Sequence, residues 1–88
     1  MNANQKLILE QLEEENPEAL TIDGFDTAFI GVARRLGQPS VAAYDYDKCI
    51  KVLMKDMPYE EAVEYFDFNV AGTWMGQDTP IILERVPR

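Results

Sequence analysis

The chain has no histidine and only one cysteine, Cys49, among its 88 residues. Without histidine it lacks the side chain that serves most often as a general base and as a metal ligand near neutral pH. A single cysteine cannot form an internal disulfide, which favours a reducing, intracellular compartment. Cys49 falls on the apolar face of a predicted helix and has no histidine to activate it. We therefore interpret it as a buried structural thiol rather than a nucleophile.

Basic residues and long apolar runs are also scarce. Eight Lys and Arg stand against 16 Asp and Glu, which gives a formal net charge of −8. Such a charge repels nucleic acid, so we expect no direct binding of DNA or RNA. Because no apolar run approaches the roughly 20 residues that span a bilayer, and the first residues do not resemble a signal peptide, we expect a cytoplasmic protein without membrane contact. Two interpretations of the acidity stay open: solubility, or attraction of a basic partner by imitation of nucleic-acid phosphates.

The hydrophobic pattern predicts one small α+β domain over residues 1–88. Hydrophobic residues make up 47% of the chain, as is ordinary for a globular domain. Periodicity predicts helices and strands in the order helix, strand, strand, helix, helix, strand, over 3–15, 25–35, 41–46, 45–57, 57–72 and 80–84. This order favours a short, mainly antiparallel sheet of about three strands with helices packed on one face. The first helix, about 3–15, has a narrow apolar stripe and is marginal alone, so we expect it to dock on this domain as an appendage.

Single residues mark the ends and irregularities of these segments. Asn16 precedes a proline, which ends the first helix. Gly31 lies in the middle of a strand and indicates a bulge or a close backbone approach. Gly72 is a natural stop for the last helix. The helical period predicts that the buried face of this helix consists of Tyr59, Ala62, Val63, Phe66 and Val70.

Two carboxylates are the only weak candidates for a metal site. Asp45 and Asp47 flank a tyrosine where a strand gives way to a helix, and two carboxylates at this spacing suit Mg²⁺. The alternative, which we favour, is that they cap the helix and complement its dipole. A phosphate-binding glycine loop is missing because no Gly-Lys-Ser/Thr sequence occurs. We therefore expect no catalytic residues, no cofactor and no enzymatic activity.

Aromatic and acidic residues near the last helix are the candidates for an interface. Phe68 falls away from the predicted buried face, so it is either core beneath the following loop or part of a partner-binding patch. Trp74, the only tryptophan, lies between two glycines and is either a lid over the core or a rigid anchor for a partner. The candidate interface residues are Trp74, Phe68, Tyr65, Tyr46, Glu60, Glu64 and Asp67.

The second half of the chain resembles a known group of proteins. The stretches "VAAYDYDKCIKVLM" and "MPYEEAVEYFDFNVAGTWMGQDTP" resemble small proteins of tailed bacteriophages and prophages in three features. These are a YDxxKCI helix, an EEAxEYFxFNV helix and a GxxxGxxTP tail, and the order and spacing of the three carry the similarity. With "FDTAFIGVARRLGQPSVAAYD" it spans roughly residues 19 to 83 and leaves out the first helix. The resemblance implies a phage-type, cytoplasmic setting and no specific activity.

These observations lead to two hypotheses of different kinds. In the first, the chain is a non-enzymatic phage-type protein that binds a bacterial host protein and modulates or inhibits it, for example a defence complex. In the second, it binds or sequesters a small ligand such as a nucleotide signal, with aromatic residues stacking on the base. The phosphates would then need Arg34, Arg35 or the stripe formed by Lys48, Lys51 and Lys55. Homo-oligomerisation is open under both hypotheses.

Overall fold

The computed structural model describes residues 1–87 and shows an α+β domain with the predicted order of elements. The elements are helix α1 (Ala3–Glu15), strand β1 (Phe29–Ala33), strand β2 (Val41–Asp45), helix α2 (Tyr46–Leu53), helix α3 (Tyr59–Phe66) and strand β3 (Ile81–Leu83). A 3-10 turn at Asp26–Ala28 precedes β1, and a π-helical turn at Asp67–Ala71 follows α3. The predicted fold class is confirmed.

The three strands form a mixed sheet in the order β1-β2-β3. β1 and β2 pair antiparallel, and their register shifts between Phe29 and Gly31, which confirms the predicted irregularity at this glycine. β3 pairs parallel with β2, so the sheet is not purely antiparallel. The reason is topological: α2, α3 and the following loop form the long crossover that a parallel connection requires.

One face of the sheet carries the hydrophobic core. The register places Phe29 opposite Tyr44 and Tyr44 opposite Ile82, so these three side chains share a face. They pack in one cluster with buried residues from all three helices, among them Leu12, Cys49, Ile50 and Phe66. The expectation that the helices pack on one face of the sheet is therefore confirmed.

Helix α1 docks on the domain, as expected, and contributes to its core. It begins with a capping box, in which the Asn2 side chain accepts from the Gln5 backbone and the Gln5 side chain accepts from the Asn2 backbone. The Gln5 amide also donates to the Phe29 carbonyl at 3.1 Å, which holds the helix beside β1. Leu12 is buried, and Ile8 and Leu9 pack against the core. A narrow apolar stripe thus suffices because the helix docks along its whole length.

Helix α3 buries Ala62 and Phe66 and leaves Val63 partly buried, and Val70 of the π turn is partly buried as well, as the helical period predicts. The prediction for Tyr59 was wrong, because this side chain is 56% exposed. The reason is that the whole first turn of α3 lies outside the core: Pro58, Glu60 and Glu61 are exposed as well.

A surface ion pair joins the end of α1 to the β1–β2 hairpin and makes stability depend on pH. The Glu15 carboxylate pairs with the Arg34 guanidinium and accepts from Gln11 Nε2 and Ser40 Oγ, both at 2.8 Å. These hydrogen bonds, that of Arg34 foremost, lower the pKa of Glu15 from 4.5 to about 2. Between these values the unfolded state binds more protons than the folded state, so stability is lost as the pH falls through this window.

Replacing Glu15 by glutamine removes this contribution to the pH dependence. We expect the thermal midpoint of the Glu15→Gln variant to fall less steeply than that of the wild type between pH 4.5 and about 2. Thermal unfolding followed by circular dichroism at several pH values measures both slopes. Identical slopes for the two proteins would contradict the role of this carboxylate.

Candidate functional site

Three adjoining depressions lie around the end of α3, the π turn and β3. The first, which we call the acidic groove, is lined by Met57, Glu61, Glu64, Tyr65, Phe68 and Asn69. The second is an apolar cavity of about 300 Å³ between the segment 20–23, the π turn and the start of β3. The third, the tryptophan groove, is lined by Arg35, Trp74 and residues of 71–73 and 79–82. Asn69 lines the first two, and Ala71 and Thr73 line the last two, so the apolar cavity adjoins both grooves.

Helical spacing builds the acidic groove. Glu61 and Tyr65 are four residues apart, as are Glu64 and Phe68, so two carboxylates on one turn adjoin two aromatic rings on the next. Tyr65 is 46% exposed and Phe68 is 79% exposed. Phe68 is therefore not core beneath the loop, and the alternative of a surface patch remains.

The carboxylates of this groove are not neutralised within residues 1–87. The two salt bridges found there join Glu15 to Arg34 and Asp45 to Arg85. No lysine or arginine is among the residues that line the acidic groove. The groove therefore presents negative charge directly beside exposed aromatic rings.

Of the predicted acidic stripe, only one residue lines the groove. Glu64 does so, whereas Glu60 and Asp67 are exposed but are not among its lining residues. Glu61 was missed by the sequence prediction. The helical period contained the signal, because at about 100° per residue Glu61 falls on the same side of the helix as Tyr65 and Phe68.

The loop that follows the π turn holds Trp74 outward. Gly76 has a φ of +90°, a conformation open to glycine and strained for other residues. The Thr79 hydroxyl accepts from the Met75 amide at 2.8 Å and donates to the Gly76 carbonyl at 2.6 Å, which closes the turn. Trp74 itself is 72% exposed, so it does not form a lid over the core.

The predicted candidate Tyr46 lies apart from this surface. Its ring packs edge-on against Phe66, with the centroids 5.7 Å apart, and it belongs to the partly buried residues around the core. The structure thus brings together Tyr65, Phe68 and Glu64 in one groove, with Trp74 in the adjoining one, and leaves Tyr46 in the core.

A close backbone contact at Gly72 ends the π turn. A Cβ atom at this position would lie 2.7 Å from the Asp67 carbonyl oxygen, although its φ of −78° is open to any residue. Gly72 therefore ends the helix, as predicted, by allowing this approach rather than through a left-handed conformation.

Replacing Gly72 by alanine is expected to destabilise the fold by about 1–3 kcal/mol, because the backbone of the π turn must move. The matched control is Gly31→Ala, since a Cβ at Gly31 meets nothing within 4 Å and this variant should be neutral or slightly stabilising. Urea unfolding of both variants measures the difference. Equal urea midpoints for the two variants would show that the backbone near Gly72 accommodates the added Cβ atom without loss of stability.

Of the two weak candidates for a metal site, Asp45 is held by a helix cap and an ion pair, and Asp47 lies two residues after it. Asp45 Oδ1 accepts from the Lys48 amide at 2.9 Å, and its Oδ2 pairs with Arg85 at 2.7 Å. The predicted capping role of Asp45 is thus confirmed, and Asp47 lies in the first turn of α2. Among residues 1–87, no three or more histidine, cysteine, aspartate or glutamate side chains are grouped so that they could hold a metal ion.

Cys49 is buried and free, as its position on the apolar face of α2 predicts. Burial raises the pKa of its thiol from 9.0 to about 12. At neutral pH the thiolate, which is the nucleophilic form, is therefore scarce.

Comparisons of the chain with protein-family models, curated proteins and solved structures give no match. Within the described part of the chain, no helix has both the length and the apolar character needed to cross a bilayer.

Proposed function

We propose that this chain is a non-enzymatic interaction protein that binds a bacterial host protein and modulates or inhibits it, for example a defence complex. The observation that carries the proposal is the exposure of Tyr65, Phe68 and Trp74, which line two grooves that adjoin the same apolar cavity. Exposed aromatic side chains next to grooves are typical of interface anchors, because each buries a large area on binding at a low cost in conformational entropy. The bacterial setting rests on the sequence resemblance to tailed-phage proteins.

The chemistry of the polar residues also supports a binding role over catalysis. The chain has no histidine, its cysteine is buried, and the carboxylate of Asp45 is engaged by a helix cap and an arginine. Two exposed carboxylates of α3, Glu61 and Glu64, line the same groove as Tyr65 and Phe68. Acidic groups around an aromatic patch give an interface electrostatic specificity and speed the approach of a basic partner.

One observation favours the alternative of a nucleotide-binding protein. Arg35 and Trp74 line the same groove, as a phosphate contact and a stacking platform would require. Against this, Arg34 is paired with Glu15, and the adjoining apolar cavity is lined by Asp23 and by no lysine or arginine. The stripe formed by Lys48, Lys51 and Lys55 lines a separate depression that shares no residue with the tryptophan groove. Beside Trp74 a single arginine is a weak site for a polyanion, so we place this function second.

Affinity capture from bacterial lysate tests the proposal. Tagged protein is incubated at low and at high salt, and the bound fraction is analysed by mass spectrometry for proteins and for small molecules. We expect a stoichiometric host protein whose binding weakens with salt, because the acidic surface contributes to the interface. A co-purifying nucleotide without a protein partner would favour the alternative and contradict the proposal.

A further inference from the structure

We infer that the acidic groove receives an arginine side chain from a basic segment of the protein partner. The inference rests on the proposed function and adds the chemistry of the partner. The six residues that line the acidic groove supply two carboxylates, two aromatic rings, a thioether and a side-chain amide. This set matches a side chain that has a long apolar stem and a cationic, hydrogen-bonding end.

Each part of an arginine side chain finds a counterpart in the groove. The Glu61 and Glu64 carboxylates accept hydrogen bonds from a guanidinium, and this arrangement is strongest when it is bidentate. The exposed faces of Tyr65 and Phe68 bind the planar cation by stacking and cation–π attraction. Met57 offers an adaptable apolar contact to the stem.

Arginine fits this groove better than lysine does. A guanidinium can stack on a ring and still direct N–H groups to carboxylates in its own plane, whereas an ammonium is a compact and strongly hydrated charge. Asn69 borders both the acidic groove and the apolar cavity, and the cavity is also lined by Thr73 and Met75, the neighbours of Trp74. A basic segment that places an arginine in the acidic groove can therefore continue past the apolar cavity toward Trp74.

The charge of the chain argues for a different protein as the occupant rather than a second copy. Two copies that each carry a net charge of −8 repel one another. Of the chain's own basic side chains, Arg34 and Arg85 are engaged in ion pairs. The negative electrostatic potential that repels a second copy attracts a basic partner.

Titration with defined peptides tests the inference on the full chain. The probe is an acetylated and amidated Gly-Arg-Gly-Arg-Gly-Arg-Gly peptide, with lysine and citrulline versions of the same length. Chemical shifts of the ¹⁵N-labelled protein should move at residues 61–69, most with the arginine peptide and least with the citrulline peptide. The Glu61→Gln/Glu64→Gln variant should bind the arginine peptide about tenfold more weakly, which corresponds to about 1.4 kcal/mol shared between two exposed pairs.

The matched control is Glu13→Gln/Glu14→Gln on α1, which removes the same charge from another exposed position. It should change the affinity by less than about twofold, because only screened long-range attraction is lost. Equal weakening by both double variants, equal binding of the citrulline peptide, or shifts confined to other residues would overturn the inference. So would a dimer, seen by light scattering, that only the Glu61→Gln/Glu64→Gln variant abolishes.

Lysate capture separates this inference from the proposed function. If a host protein is lost with Trp74→Ala but retained in full by Glu61→Gln/Glu64→Gln, the protein-binding function stands and the arginine groove is refuted. If no host protein is captured by any variant or by the wild type, the proposed function fails on its own test.

Discussion

Phe66→Ala is expected to destabilise the fold by about 3–5 kcal/mol, whereas Phe68→Ala should change stability by less than about 0.5 kcal/mol. Phe66 is fully buried, and its ring meets Phe25 and Tyr46 edge-on with centroids 6.0 and 5.7 Å away. Phe68, two residues later, is 79% exposed. Both residues are phenylalanines, Phe66 at the end of α3 and Phe68 in the π turn that follows, so the difference between the variants reports mainly on burial.

Urea unfolding of both variants measures this contrast. A small domain has a total stability of about 5–15 kcal/mol, so Phe66→Ala should leave a visible unfolded fraction or a greatly lowered midpoint. A large loss with Phe68→Ala would place its ring in the core and contradict the surface assignment. A small loss with Phe66→Ala would contradict its central place in the core.

Asn16→Ala is expected to destabilise the fold by about 2–4 kcal/mol, because it removes three partly buried hydrogen bonds that each contribute about 0.5–1.5 kcal/mol. The Asn16 amide nitrogen donates to the Ser40 carbonyl at 2.9 Å and to Asp78 Oδ1 at 2.8 Å, and its oxygen accepts from the Glu18 amide at 3.1 Å. One buried side chain thus joins the end of α1, the start of β2 and the loop that carries Trp74.

The matched control is Asn4→Ala, an exposed asparagine on the same helix, which should be nearly neutral. Hydrogen exchange of the Leu20 amide, which donates to the Asp78 carbonyl at 3.2 Å, reports the loop directly and should accelerate in Asn16→Ala. If both asparagine variants have the same stability, the three hydrogen bonds of Asn16 contribute nothing net.

Local signals in the sequence predicted the helices and strands, but they did not predict how these elements are arranged in the sheet and core. The bounds of α1, the cap at Asp45 and the irregularity at Gly31 depend on neighbouring residues and were predictable. The parallel pairing of β3 depends on how α2 and α3 return the chain to the sheet, which no local pattern encodes. The role of Asn16 as a link was invisible for the same reason, since Asp78 lies 62 residues away.

The candidate site was predicted in part. The helical period placed Tyr65, Phe68 and Glu64 away from the core, but it could not decide whether the Trp74 loop covers Phe68. That outcome depends on the turn at Gly76 and Thr79, which holds Trp74 outward. Tyr46 lies apart from the groove because it follows β2 directly and packs on Phe66, a contact between two different helices that no local pattern encodes.

Capture of a host protein by a Phe68→Ala/Trp74→Ala variant tests the central claim most directly. The control is Leu36→Ala, a fully exposed apolar residue of the β1–β2 hairpin outside the three depressions. With equal amounts of folded protein, we predict that the double variant loses most of the captured partner and that the control retains it. Full retention of the partner by the double variant would contradict an interface built on these aromatic residues.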